Sequence, residues 1–155
     1  MEDLLARLEA MLKQETAAYK TEDYLSPEHQ GKLQGQVLQD GICGVDDLAS
    51  SSSSSQSSYD INETWREKIC EWSYQVVDHF DFSREVVMIA MNFLDRYLAS
   101  RSVNKKVFQL AAMTSLFLAI KLNEPGKLTM PAMIELSRGF FRVEQMAAME
   151  VSILR

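Results

Sequence analysis

The sequence predicts an all-α protein, and three observations carry that expectation. Its 155 residues hold only 6 Gly and 3 Pro, too few for the many tight turns of an all-β domain. Apolar residues recur at helical spacing along each long segment. The longest stretch without a charge, Val107–Ile120, is about 14 residues long, too short to span a bilayer and suited to a buried helix. With 46% hydrophobic and 25% charged residues, the composition is that of a globular domain, and the length suits one domain plus a tail.

The tail comes first. Residues 2–19 form an amphipathic helix, with Leu4, Leu5, Leu8, Met11, Leu12 and Tyr19 on one stripe. It is a separate element whose stripe can dock on the body or on a partner. About 40 weakly structured residues join it to the body, with Gly31, Gly35, Gly41 and Gly44 marking loop. Ser26-Pro27 is either a minimal proline-directed phosphorylation site or a simple turn former. Ser50–Ser58 is serine at eight of nine positions and offers no apolar surface to offset the entropy of ordering, which predicts a flexible linker. A phosphorylation cluster is the alternative, although no basic or proline-directed context surrounds the run. The expected organisation is therefore an acidic extension at 1–49, a Ser-rich linker at 50–61 and a helical body at 62–155.

The body reads as five helices. The first runs from Asn62 to His79, capped by Asn62 or Thr64, with Trp65, Ile69, Trp72, Val76 and Phe80 as its apolar stripe. Asp81-Phe82-Ser83 breaks it. Ser83 can then cap a second helix from Arg84 to about Ala99, whose apolar face holds Met88, Met91, Phe93, Leu94, Tyr97 and Leu98. Asn104 opens a third helix that runs to about Leu122 and is apolar almost all round, so other helices must surround it. Glu124-Pro125-Gly126 stops it. A short fourth helix spans Met130 to Ser137 with Pro131 in its first turn, and Gly139 ends it. The fifth starts near Arg142, and its last apolar residues, Val151, Ile153 and Leu154, meet no stop signal. The body is thus expected to be cut off.

Charge and motif content narrow the function. Net charge is −6, with 4 basic and 11 acidic residues in 1–62 against 12 and 11 in 63–155. An acidic head and a balanced body give no basic face of the kind a phosphate backbone requires, so nucleic acid is an unfavoured partner. Cys43 and Cys70 cannot build a disulfide framework, and no Cys/His spacing suggests zinc. His29 and His79 sit near no nucleophile motif, and no Gly-rich phosphate loop appears, so no enzyme is expected. The acidic start is neither a signal peptide nor a transit sequence, and a soluble intracellular protein is expected.

The charges inside apolar helices carry more information. Asp95 and Arg96 interrupt the second helix, and at most one can point outward, so the other needs an internal partner. Arg66 on the first helix is the natural partner for Asp95. Lys121 ends the buried third helix, and Glu150 sits among Met146, Ala147, Met149 and Ile153. On periodicity alone, Lys121 snorkels to solvent and Glu150 lies on an exposed stripe.

The segments WREKICEW at 65–72, AMNFLDRYLASRSV at 90–103, FQLAAMTSLFLAIKLNEP at 108–125 and MEVSIL at 149–154 resemble the cyclin box. The resemblance covers residues 62–155 and implies a single five-helix repeat, the N-terminal box of a cell-cycle-type or D-like cyclin. The family's internal Arg–Asp pair falls on Arg66 and Asp95. Its Leu, Ala, Lys and Glu positions fall on Leu110, Ala119, Lys121 and Glu150. The resemblance implies that Lys121 and Glu150 bind a kinase, hydrogen-bonding backbone near its mobile αC helix.

In function, the resemblance implies a regulatory subunit that binds and activates a cyclin-dependent protein kinase in cell-cycle control, in the nucleus, the cytoplasm or both. Kinase substrates or inhibitors are further implied partners; no cofactor, metal or membrane is implied. The family's substrate-docking patch falls on Trp65, Lys68, Ile69, Trp72, Phe108 and Gln109, with Lys68 in place of an apolar residue. Trp72 as mere core is the alternative there. The family's second repeat is missing, as are its Arg-x-x-Leu degradation signal and the Leu-x-Cys-x-Glu motif. The alternative function is a cyclin-fold scaffold or transcription-related adaptor without kinase activation.

Overall fold

The computed structural model describes residues 2–17, 22–26, 28, 29 and 61–155. Among them, six helices carry the fold: α1 (Glu2–Ala17), α2 (Glu63–His79), α3 (Glu85–Ala99), α4 (Lys105–Asn123), α5 (Met130–Leu136) and α6 (Val143–Leu154). No strand occurs among the described residues. The serine run, the four loop glycines at 31, 35, 41 and 44, Cys43 and Tyr19 lie outside them.

Side chains start the body helices where the sequence supplies short polar residues. Asn62 Oδ1 accepts the Trp65 N–H at 3.1 Å, Asn104 Oδ1 accepts the Val107 N–H at 2.9 Å, and Thr129 Oγ1 accepts the Ala132 N–H at 3.4 Å. Ser83 behaves differently. Helix α3 starts at Glu85 with Arg84 as its N-cap and no side-chain cap, and Ser83 Oγ reaches the Glu85 N–H only at 3.4 Å. The corner is held from outside instead, since Glu124 Oε1 accepts the Ser83 N–H at 2.6 Å and Arg84 grips Asp78 through two hydrogen bonds of 2.9 and 2.7 Å. Lys127, bonded to the Glu124 carboxylate, and the Ser83 N–H both hold that carboxyl below its ordinary pKa.

Helix α2 ends at His79 with Phe80 as its C-cap, and the φ of 55° at Asp81 lets the chain turn back so that the Phe82 N–H donates to Val77 O at 2.8 Å. This is the Schellman arrangement, closed by the buried side chains of Phe82 and Val77. Helix α4 sits at the centre, with α2, α3, α5 and α6 all packed on it. Every residue from Ala111 to Ile120 is buried, as an uncharged helix demands. Ala111, Ser115 and Ala119 fall on one side at four-residue spacing and allow close helix approach.

One apolar expectation is corrected, and one open alternative is narrowed. Met88 is 71% exposed because Val86, Val87, Ala90, Met91 and Leu94 already form the inward face of α3. The Leu4–Leu12 stripe of α1 also faces solvent, with no part of it in the core.

Ser115 Oγ is the one buried side-chain polar atom without a hydrogen-bond partner among the described residues. An unsatisfied buried hydroxyl costs about 1–3 kcal/mol, so Ser115→Ala should stabilise the fold by about 1 kcal/mol and raise the thermal midpoint in calorimetry. A lower midpoint would show that this hydroxyl is satisfied in solution.

Candidate functional site

A charged hub joins the extension to the body. Arg66 Nε donates to Asp95 Oδ1 at 3.0 Å and its Nη2 donates to Oδ2 at 2.8 Å, so the pair is bidentate across α2 and α3. The Tyr24 hydroxyl, on a buried side chain, donates to the same Oδ1 at 2.7 Å. Four residues beyond the tyrosine's neighbour Leu25, His29 Nε2 donates to the Ala99 carbonyl at 2.7 Å, and its Nδ1 lies 3.1 Å from Glu22 Oε2. A carbonyl only accepts, so the Nε2 proton is assigned by this contact. Residues 22–26, 28 and 29 therefore form a strap over the body, where a weakly structured connection was expected. Burial first, then the hydrogen bond and charge of Asp95, push the Tyr24 hydroxyl well above its ordinary value of 10.0. The Asp95 hydrogen bond likewise raises the Arg66 guanidinium.

A second pair stands at the other end of α4. Lys121 Nζ donates to Glu150 Oε1 at 2.7 Å, joining the last turn of α4 to α6. Lys121 is 54% exposed and Glu150 only 13%, so the carboxylate is set into the surface and the ammonium stands over it. Glu150 thus lies off the exposed stripe that periodicity alone allows. Its orientation follows from α6, where Met146 and Met149 turn into the core and leave Glu150 on the flank. Lys121 Nζ also lies 5.9 Å from the centre of the Phe117 ring. Ala119 is fully buried and Leu110 half-buried.

A third feature is a groove of about 800 Å³, lined by Ile69 and Trp72 of α2, Lys105, Lys106, Gln109 and Met113 of α4, and the turn from Ser137 to Phe141. Of the candidate patch residues, Ile69, Trp72 and Gln109 line it. Phe108 does not: it is 2% exposed and belongs to the core, where its ring meets that of Trp65 at 5.6 Å. The helix phase of α4 turns 108 inward with 111 and 112 and turns 105, 106 and 109 outward. Trp65 lies beside the groove, under Lys105. Lys68 is exposed and outside the lining.

The family model described as "Cyclin, N-terminal domain" matches residues 46–155. This chain belongs to the cyclin family. The Arg66–Asp95 pair, the Lys121–Glu150 pair and the groove all fall within the matched cyclin domain, whereas Tyr24 and His29 precede it. The chain is similar to the G2/mitotic-specific cyclin-2 of Antirrhinum majus, 34% identical over 95 residues, which are 61% of this chain and 22% of that protein. It is also similar to the G2/mitotic-specific cyclin-1 of Medicago sativa subsp. varia, 36% identical over 43% of this chain and 15% of that protein. Cyclin-B2-1 of Arabidopsis thaliana is 35% identical over 42% of this chain and 15% of its own length. The cyclin chain thus spans about a fifth or less of these relatives' length.

Tyr24→Phe should cost about 1 kcal/mol, and Arg66→Lys, which loses the bidentate fork, about 1.5–3 kcal/mol, both read by denaturant unfolding. The raised Tyr24 pKa gives a sign for pH. The strap's stabilisation is fully present below pH 10.0, where tyrosine is neutral in both states, and declines as pH rises above it, because the unfolded tyrosine then ionises first. Unfolding followed from pH 8 to 11 should show this loss in the wild type and less of it in Tyr24→Phe.

Proposed function

We propose that this chain acts as a regulatory subunit that binds and activates a cyclin-dependent protein kinase in cell-cycle control. The observation that carries the reading is the Lys121–Glu150 pair, formed at 2.7 Å on an open surface of the cyclin domain. Lys121 Nζ has three N–H donors and gives one to Glu150, which leaves two for backbone carbonyls of a partner. Glu150 Oε2 has no partner among the described residues and can accept a backbone N–H. The pair therefore presents donors and an acceptor side by side, as capture of a partner helix end requires.

In this reading the chemistry is the kinase's own, and the work of this chain is selection. A protein that binds only the kinase conformation with its αC helix swung inward shifts the kinase population toward that conformation. In that state the kinase's own Lys–Glu pair and activation loop take up their working positions. Helices α4 and α6 suit this task because α4 is enclosed on all sides and holds Lys121 on a rigid base. Val143, Ala147 and Leu154, exposed on α6 in the same helical row as the half-buried Glu150, supply apolar contact around the polar centre. The groove serves as a docking point for substrates or inhibitors of the kinase. Such a protein works where its kinase works, in the nucleus, the cytoplasm or both.

Co-purification with cyclin-dependent kinases tests the reading. Lys121→Ala and Glu150→Ala should each weaken the complex by about 2–5 kcal/mol, since each leaves its neighbour's charge unpaired at a closed interface. Helicity should be unchanged, and Lys121→Ala should move stability by about 1 kcal/mol or less, because the ammonium it removes is more than half exposed in the free protein. A wild-type chain that captures no kinase would instead favour a cyclin-fold scaffold.

A further inference from the structure

The charge around the groove has one sign. Its walls are apolar, built from Ile69, Trp72, Met113, Phe140 and Phe141, and its charged lining residues are Lys105, Lys106 and Arg138. Among the described residues no carboxylate lines it. Among the described residues none of these cations is in an ion pair, although acidic and basic residues are nearly balanced over 63–155. Lys105 Nζ rests 5.6 Å from the Trp65 ring centre and Lys106 Nζ 5.7 Å from that of Phe140. Both ammonium groups are thus held above aromatic faces at the groove edge, still free to meet an anion.

Arg138 adds an independent observation. Its φ is 54°, in the left-handed region, immediately before Gly139 at 75°. Glycine adopts that conformation without strain and a long side chain does not, so the turn alone favours glycine at 138. An arginine there, with no acidic partner among the described residues and its side chain on the groove, puts a cation at that spot against local preference. Phe140, two residues on, is 58% exposed and extends the same apolar surface.

We propose that this groove binds a short extended peptide whose apolar side chains are flanked by aspartate or glutamate. In an extended chain, side chains two residues apart point the same way, so two leucines in a Leu-x-Leu core can enter the groove together. Flanking carboxylates then reach Lys105 and Lys106 on one side and Arg138 on the other. A peptide flanked by lysine or arginine meets only like charge, so the rim rejects as well as selects. The inference deepens the docking role proposed above and rests on it for the peptide's origin in a kinase substrate or inhibitor, but not for binding itself. Single-stranded nucleic acid also seeks cations and aromatic rings, yet the aliphatic walls of Ile69 and Met113 offer no face for base stacking and favour the peptide.

The test uses the full chain and two labelled nine-residue peptides that share a Leu-x-Leu core, one with four glutamates and one with four lysines. Fluorescence anisotropy should give at least about tenfold tighter binding of the glutamate peptide at about 50 mM salt, with the margin shrinking toward about 300 mM. Reversing Lys105, Lys106 and Arg138 together to Glu should invert the preference, and Arg138→Gln alone should reduce it about threefold with the fold undisturbed. Phe140→Ala should weaken both peptides alike. Equal binding, preference for the lysine peptide, binding of neither, or displacement of the peptide by an oligothymidine would overturn the proposal. Kinase capture measured on the same protein separates the two readings. Lys121→Ala should lose the kinase and keep the peptide preference, and the rim variants should do the reverse.

Discussion

Helix α4 carries no charge from Val107 to Ile120 and so has to be enclosed, a constraint on which the rest of the fold depends. Helices α2, α3, α5 and α6 are the enclosure, packed on that central rod and on one another. The charged residues of α4 are consequently confined to its ends. Lys105, Lys106 and Gln109 open onto the groove at one end, and Lys121 meets Glu150 at the other. The two candidate interaction surfaces are thus the two places where the enclosure stops. At 1.5 Å per residue they stand about 18 Å apart, from Gln109 to Lys121, along a helix with little freedom to bend.

The Arg66–Asp95 pair plays a different part. It ties α2 to α3 across the side of the bundle, and Asp95 accepts from Tyr24 as well. One carboxylate therefore holds two helices and the strap together. Because Tyr24 precedes the stretch that matches the cyclin domain, the folded unit takes in at least this buried side chain from upstream of the match.

Much of this was legible in the residues. The capping asparagines, Pro131 and the uncharged run place α2, α4 and α5 within a residue or two, because those signals act locally. Asp95 was legible as a buried charge in need of a partner, and Arg66 as the candidate. The strap was not. Tyr24 and His29 lie in a polar, acidic stretch without periodicity, and their value comes from an oxygen of Asp95, 71 residues away, and a carbonyl at Ala99, 70 away. The groove was half legible: α2 and α4 contribute residues at helical spacing, but the wall from Ser137 to Phe141 depends on two successive left-handed residues that no spacing rule reports. Phe108 went astray through phase, since a helix apolar on every side gives no clue to which face is outermost.

The length of α4 acquires a meaning from this arrangement. One residue added between Gln109 and Lys121 would rotate the lysine by about 100° and carry it about 1.5 Å further along the axis, away from Glu150. The same step would turn part of the Ala111–Ala119 contact row out of the bundle. Substitutions can tune either end of the helix separately, whereas an insertion or deletion within it dislocates both ends and the core together. The central helix therefore acts as a ruler for this protein, and its twelve-residue interval is a dimension the fold cannot rescale.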